Sequence, residues 1–367
     1  MKEEGAKMKD ILEDVKEYYG KVLNGTQDLK SKACCCSAAS LPKEVREALE
    51  LIDDEIISRY YGCGSPIPPL LEGMTVLDLG CGSGRDVYVV SKLVGENGRV
   101  IGIDMTQEQL DIAARHEDAQ RKRFGYAKSN VAFKLGYIED LASAGIADSS
   151  IDVVISNCVI NLSPYKQEIF NEIWRVLKPG GELYFSDVFA NRRIPDELIR
   201  DPVLHGECIS GAMYNEDFRR MMSKAGFADF RYMSIREIDL DNEEIAEKVG
   251  FATFTERTVR AFKLDDLEDI CEDYGQIAIY KGTVPGFPHS FALDDHHNFI
   301  TGKPMLVCGN TAAMVSETRF RDCFTVIGDR STHYGAFDCA PAAAPEKKRR
   351  LLLLRIVLFK LLLPITR

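Results

Sequence analysis

The chain has 367 residues, 45% hydrophobic and 28% charged, with a formal net charge of −11. That length accommodates two folded units, one of them an ordinary α/β domain. Residues 346–367 hold seven Lys or Arg against Glu346, so the rest of the chain is more acidic than the total suggests. An acidic body has no counterion-release gain from a polyanion, which excludes nucleic acid as the substrate.

The segment Met1–Asp14 is charged and lacks the apolar stretch of a secretory signal, which predicts a cytoplasmic protein. In a reducing compartment the eleven cysteines are thiols before they are a disulfide framework.

Ile11, Leu12, Val15, Tyr18, Tyr19 and Val22 are spaced for one apolar face and predict a helix over 8–23. The small, polar run 24–41, with Cys34-Cys35-Cys36, reads as a mobile loop. Pro42 is a good first helical residue for a second helix through Ile57. Arg59-Tyr60-Tyr61-Gly62-Cys63-Gly64-Ser65-Pro66 breaks it.

From Thr75 the pattern alternates strand and helix, as a doubly wound sheet requires. Strands are expected at Thr75–Leu79, Arg99–Ile103, Val131–Gly136, Ile151–Ser156 and Glu182–Asp187. Helices are expected over Arg85–Val94, Thr106–Phe124 and 165–177, the last closed by a Lys178-Pro179-Gly180-Gly181 turn. Thr106 and Gln109 have capping-box spacing. After residue 190 the alternation weakens: a helix near 215–225 is followed by short strand-like runs such as Gln276–Lys281 and Met305–Cys308. The tail has an apolar run, Leu351–Ile365. As a helix it would reach only about 22 Å, short of a hydrocarbon core, and Arg355 and Lys360 interrupt it. It fits a reversible contact with anionic lipid, or no function at all.

The chemistry centres on Asp78-Leu79-Gly80-Cys81-Gly82-Ser83-Gly84-Arg85. Glycines two apart allow a sharp strand-to-helix turn with backbone close to a bound nucleoside. The spacing is not the dinucleotide G-x-G-x-x-G, and no Gly-Lys-Ser/Thr follows to cradle phosphates. Methyl-transferring enzymes use such a turn to hold S-adenosylmethionine. Asp104 ends the next strand, twenty residues after Gly84, where an acid reads a ribose diol. A bare helix cap is the alternative, but Thr106 fills that role. Met105 fits the adenine face or core filler equally. Ile138 and Glu139 fit the adenine edge, or a solvated loop. Asn157, ending strand four, faces the switch-point crevice. With Arg85, these residues make up the expected cofactor set.

Base-amine methyltransferases carry an Asn/Asp-Pro-Pro-aromatic run after strand four; here it is Ser156-Asn157-Cys158-Val159-Ile160-Asn161-Leu162. A thiol is a poor partner for an amine and a good soft ligand. Cys208, Cys63 and the loop cysteines are separated unlike the short pairs of a structural zinc site. Cys81, Cys271 and Cys323 read as small buried hydrophobes, and His296-His297 as a solvated turn.

These strings resemble the arsenite S-adenosylmethionine methyltransferases over residues 8–339. The likeness is densest in Arg59–Gly64, Leu77–Asp86, Gly102–Met105, Ser156–Leu162 and Gly181–Asp187. Arg260–Leu264 and Asn298–Gly328 look like the family's C-terminal domain. The resemblance implies that Cys158 and Cys208 ligate As(III), with Cys63 as third ligand or disulfide partner. It also implies an assisting loop cysteine, Cys34 or its neighbours Cys35 and Cys36, and Tyr61 beside the sulfonium. Its implied partners are arsenite or a glutathione conjugate, and thioredoxin or glutathione as reductant. The chain departs from the family in its tail, which is basic and apolar instead of cysteine-rich.

The expected architecture is α/β: N-terminal helices and Cys loop (1–64), then a Rossmann-like class I methyltransferase domain (65–204). An arsenic-site segment with a smaller C-terminal α+β domain (205–339) and the tail (340–367) follow. The expected activity is methylation of As(III) to mono- and dimethylated products by a monomer. Methylation of a quinone or thiol, or metalloid binding without catalysis, are the alternatives.

Overall fold

The structure is a computed structural model that describes residues 12, 13, 15, 16, 41–60, 62, 66–195, 198, 209, 211–240 and 247–339. Cys34, Cys35, Cys36, Tyr61, Cys63, Cys208, the loop 24–40 and the tail 340–367 lie outside the described residues. Leu12, Glu13, Val15 and Lys16 are helical, as the first apolar stripe predicts.

The central sheet runs in the order β3-β2-β1-β4-β5-β8-β7. Its parallel part is β1 (Thr75–Leu79), β2 (Arg99–Asp104), β3 (Val131–Leu135), β4 (Ile151–Asn157) and β5 (Leu177–Ala190). Val76, Leu77, Leu79, Val153, Val154 and Ile155 are fully buried, as expected of central parallel strands covered on both faces. The chain turns from β1 outward to β2 and β3, then returns to β4 on the other side. The carboxyl ends of β1 and β4 therefore flank the switch point where open α/β sheets bind ligands.

Two expected helices are each split. Pro42–Ile57 becomes α1 (Lys43–Leu49) and α2 (Asp54–Ser58), because Asp53 accepts from Glu55 N and starts a new helix. On the far side of β1, α3 spans Arg85–Val94. The expected Thr106–Phe124 helix breaks at His116 into α4 (Gln107–Arg115) and α5 (Glu117–Phe124). Thr106 makes no side-chain cap there. α6 (Lys166–Val176) runs directly into β5, whose first residues are the Lys178–Gly181 stretch expected to be a turn.

The sheet does not end near residue 204. After β6 (Met213–Tyr214) and α7 (Asn215–Ala225), β7 (Phe230–Ile238) and β8 (Phe254–Phe262) add to it antiparallel, β8 pairing the whole length from Glu182 to Ala190. The boundary expected at 204/205 thus cuts across the sheet. Arg260–Leu264, which resembled the C-terminal domain, lies largely on β8.

A smaller unit follows: β9 (Glu272–Asp273), β10 (Gln276–Tyr280), β11 (Ser290–Ala292), β12 (Asn298–Ile300), β13 (Pro304–Val307), α8 (Gly309–Ser316), β14 (Phe324–Ile327) and β15 (Gly335–Ala336). It has its own core around Tyr280, Phe291, Phe299, Met314 and Phe324. A buried ion network joins it to the sheet. Glu182 on β5 binds Arg260 Nε with one oxygen and Arg319 with the other, and all three side chains are buried. Arg319 also donates to Pro69 O at 3.0 Å, and Arg260 to Leu293 O.

Among the described residues, no helix is long and apolar enough to cross a membrane.

Candidate active site

The glycine turn follows β1 as a string of left-handed residues, with φ of +69° at Gly80, +52° at Gly82 and +87° at Gly84. A Cβ on Gly80 would lie 2.4 Å from Val159, whereas one on Gly82 would meet nothing within 4 Å. Gly80 therefore lets the turn pass under the strand-four loop, and Gly82 leaves an open cradle. Gly84 starts α3.

Asp104 holds this turn in place. Its two oxygens accept from Gly82 N and Thr106 N, both at 2.8 Å. It thus does the anchoring at the start of α4 that was assigned to Thr106, and the turn depends on it. Asp104 also accepts from Met105 N and the Thr106 side chain, so its carboxylate ties the glycine turn to the start of α4.

Around this turn lies a cavity of about 1000 Å³, counting its open mouth. Of the expected cofactor residues, Asp78, Gly80, Gly82, Arg85, Asp104, Met105, Ile138, Glu139 and Asn157 line it, as does Cys158. Gly84 does not; it shapes the turn from behind. The carboxyls of Asp78, Asp86, Asp104 and Glu139 give the cavity an acidic wall. Burial holds Asp78 well above the usual carboxylate range, with Asp86 and Asp104 adding repulsion. Burial likewise raises Asp104 and Glu139. A bound cation would relieve this repulsion.

The sequence reading missed several wall residues. Asn157 Nδ2 donates to Tyr60 OH and, at 3.1 Å, to Asp86 Oδ2. Asn157 Oδ1 is buried with no hydrogen-bond partner among the described residues. The Arg85 guanidinium stacks 3.7 Å over the Tyr60 ring and pairs with Asp86 at 2.9 Å. Leu12 and Val15 of the N-terminal helix also line the cavity. Only the position of Asp86, just after the glycines, hinted at any of these contacts.

These features fit S-adenosylmethionine. A Cβ at Gly82 would meet nothing, so the turn leaves open space beside it, and the acidic wall suits a ligand that carries positive charge.

Cys158 follows β4 and is buried at φ +55°, a strained conformation for a residue with a Cβ. Its N–H donates to Ser186 O at 2.9 Å, locking it between β4 and β5. It is disulfide-bonded, and the other described cysteines are free, so its partner lies outside the described residues. Cys81 is buried, its thiol pushed far up by burial and by Asp104 and Asp78, which suits the inert role expected of it.

Behind Cys158, Asp187 accepts from Asn161 Nδ2 at 2.6 Å and from Val188 N at 2.9 Å. Burial pushes its carboxyl up to about 7. Its folded value lies above the unfolded one of about 3.9, so the folded state binds the proton more tightly. Its contribution to stability is complete below about pH 4 and is lost as pH rises through about 7. Asp187→Asn should therefore gain melting temperature relative to the parent as pH rises over that window. Parallel curves in thermal melts would contradict this.

The comparisons agree with this geometry. Residues 70–226 match the methyltransferase domain model, and residues 274–349 match the arsenite methyltransferase C-terminal domain model. An arsenite methyltransferase of Aquipseudomonas alcaligenes is 52% identical over 337 residues, covering 92% of this chain and 96% of that protein. The Homo sapiens arsenite methyltransferase is 42% identical over 325 residues, covering 88% and 85%. The crystal structure of an arsenic (III) S-adenosylmethionine methyltransferase from Chlamydomonas reinhardtii superposes with a TM-score of 0.79 at 53% identity, covering 82% of this chain and all of that one. With the likeness running through both units, the chain belongs to the arsenite methyltransferase family.

Proposed function

We propose that this enzyme transfers a methyl group from S-adenosylmethionine to thiolate-bound As(III), giving mono- and dimethylated arsenicals. The observation that carries the reading is Cys158, a cysteine at the carboxyl end of β4 lining the same cavity as the glycine turn.

The cofactor, when bound, supplies an electrophilic methyl on a sulfonium. Asp104, Gly82 and Asn157 would hold it, and Asp78, Asp86 and Glu139 favour its positive charge. Cys158, with Cys208 and Cys63 or a loop cysteine of 34–36, would hold arsenic with its lone pair toward the methyl carbon. Tyr61 is assigned beside the sulfonium. Held there, the lone pair would meet the methyl carbon that the bound cofactor supplies, and the cofactor sulfur would keep the electron pair of the C–S bond. No proton leaves arsenic, so no general base is required. Alignment alone can be worth roughly 7–11 kcal/mol of barrier.

Transfer oxidises arsenic by two electrons. Two enzyme sulfurs leaving as a disulfide return it to the trivalent state, and an external dithiol or glutathione pair then reduces that disulfide. The disulfide at Cys158 belongs to this cycle's oxidised form. Without added reductant the enzyme should stop after about one methyl transfer per chain; with it, turnover should continue. We read the protein as a cytoplasmic monomer acting in arsenic detoxification.

Arsenic speciation of products from arsenite, S-adenosylmethionine and a thiol reductant tests the reading. Methylated arsenicals are expected; cofactor consumption without arsenic would point to a quinone or thiol acceptor and overturn it. Asp104→Asn, which puts an NH₂ against a backbone N–H, should raise the KM for S-adenosylmethionine roughly 10- to 100-fold. The arsenite KM should change far less.

A further inference from the structure

Three cysteines distant in sequence meet in the smaller unit. The sulfurs of Cys271, Cys308 and Cys339 all lie within 4.8 Å of one another. Cys271 was expected to be a lone buried hydrophobe; the fold gives it two sulfur neighbours.

The backbone sets this arrangement. β9 and β15 pair antiparallel, bringing the chain just before Glu272 beside the chain just after Ala336. Phe337 N donates to Cys271 O at 2.8 Å, and Cys339 N to Phe337 O at 3.0 Å. Cys308 caps α8, its sulfur accepting from Thr311 N at 3.4 Å. Arg231 Nη2 lies 3.8 Å from the sulfurs of both Cys271 and Cys308. Asp229 fixes that arginine at 2.6 Å. Hydrogen bonds from the Cys271 and Cys339 thiols hold the Cys308 thiol well below its ordinary value. The thiolate is the form in which a cysteine binds a soft atom.

The number of ligands and the charge of their neighbour select the occupant. Structural zinc is almost always four-coordinate, and among the described residues no fourth ligand lies close to all three sulfurs. Of the three sulfurs, His296 and His297 group only with that of Cys339, and His296 also groups with Asp294 and Asp295. His297, buried and not in a solvated turn, directs Nδ1 to Asp294 at 2.8 Å, and its Nε2 lies 3.4 Å from Thr311 Oγ1. The group beside two of the sulfurs is a permanent cation, which disfavours a further dication. Trivalent arsenic needs three sulfurs only, and its lone pair takes the remaining direction.

We propose that Cys271, Cys308 and Cys339 form a second thiol site that binds inorganic As(III) as a three-coordinate trithiolate, apart from the cavity over β1 and β4. Binding exchanges bonds without redox change: As(OH)₃ and three thiols give the trithiolate and three waters. A monomethylated arsenical has two exchangeable positions, would leave one sulfur unbound, and should bind more weakly. The site would therefore hold unmethylated substrate in preference to product. This rests on the three sulfurs and stands even if the cavity methylates another acceptor.

The test uses the full chain, reduced with a phosphine, desalted and titrated with arsenite, with bound arsenic counted after gel filtration. Cys158→Ser with Cys208→Ser should leave one arsenic per chain with three sulfur neighbours in its X-ray absorption spectrum. Adding Cys271→Ser and Cys339→Ser, both only partly buried, should remove it. Should the first pair fail to fold, the parent is compared with Cys271→Ser/Cys339→Ser: stoichiometry should fall from two to one with turnover at saturating arsenite retained. The proposal is overturned if the folded Cys158/Cys208 variant binds no arsenite, if arsenic survives loss of Cys271 and Cys339, or if the site takes zinc in preference to arsenite.

Discussion

Replacing Cys158 by serine should lower arsenite-dependent kcat/KM by at least about 100-fold, the scale set by losing the alignment of the acceptor. A serine hydroxyl is neither ionised near neutral pH nor a soft ligand, so it cannot take the thiolate's place on arsenic. The substitution keeps the Cβ, the backbone hydrogen bond to Ser186 and nearly the same volume, so folding should persist. Equilibrium binding of S-adenosylmethionine should be unchanged, which separates loss of the acceptor from loss of the donor. The φ of +55° at this position supplies a second arm. With the parent kept reduced so that the Cys158 disulfide is absent from both, Cys158→Gly should be as inactive as the serine variant yet no less stable, because glycine relieves a strain of about 1–2 kcal/mol. Strain kept at a position where glycine would be easier is a mark of function. Full turnover in either variant would remove Cys158 from the arsenic site.

The second large effect concerns the joint between the two units. Glu182→Ala should destabilise the protein by about 3–5 kcal/mol, since it leaves the buried Arg260 and Arg319 without their shared anion. Against a total stability of about 5–15 kcal/mol, that is enough to lower the melting temperature severely or prevent soluble expression. The loss is one of unpaired charge more than of packing, and a compensated variant distinguishes the two. Glu182→Leu with Arg260→Met and Arg319→Met removes all three charges and should recover much of the stability. A triple variant no better than Glu182→Ala would show instead that shape and the hydrogen bonds to Pro69 O and Leu293 O dominate.

Much of the cavity was legible because its parts are local. A strand, three glycines and a helix in succession can fold in few ways, and an acid at the end of the next strand must lie beside them. Asp78, Gly80, Gly82, Asp104 and Asn157 could therefore be chosen by position alone. Tyr60 could not: its contact with Asn157 crosses from the segment before β1 to the end of β4, and nothing in either string encodes that pairing. The split helices were missed because apolar periodicity continues across the breaks, while Asp53 and His116 stop the backbone locally.

β7 and β8 were missed for a related reason. Arg231, Arg236, Arg257 and Arg260 make those strands look polar, and only their pairing with β5, Glu182, Glu256 and Asp229 makes such charges admissible in a sheet. Burying an arginine is favourable only once its partner is in place, and a partner distant in sequence gives no local signal.

By itself, then, the sequence determined the nucleoside turn, the parallel half of the sheet and the thiol at the end of β4, because each depends on neighbours along the chain. Only the tertiary structure decided how the antiparallel strands close the sheet, how Glu182 joins the two units, and how Cys271, Cys308 and Cys339 converge. Those features consist of contacts between distant residues, and the backbone must fold before any of them exists.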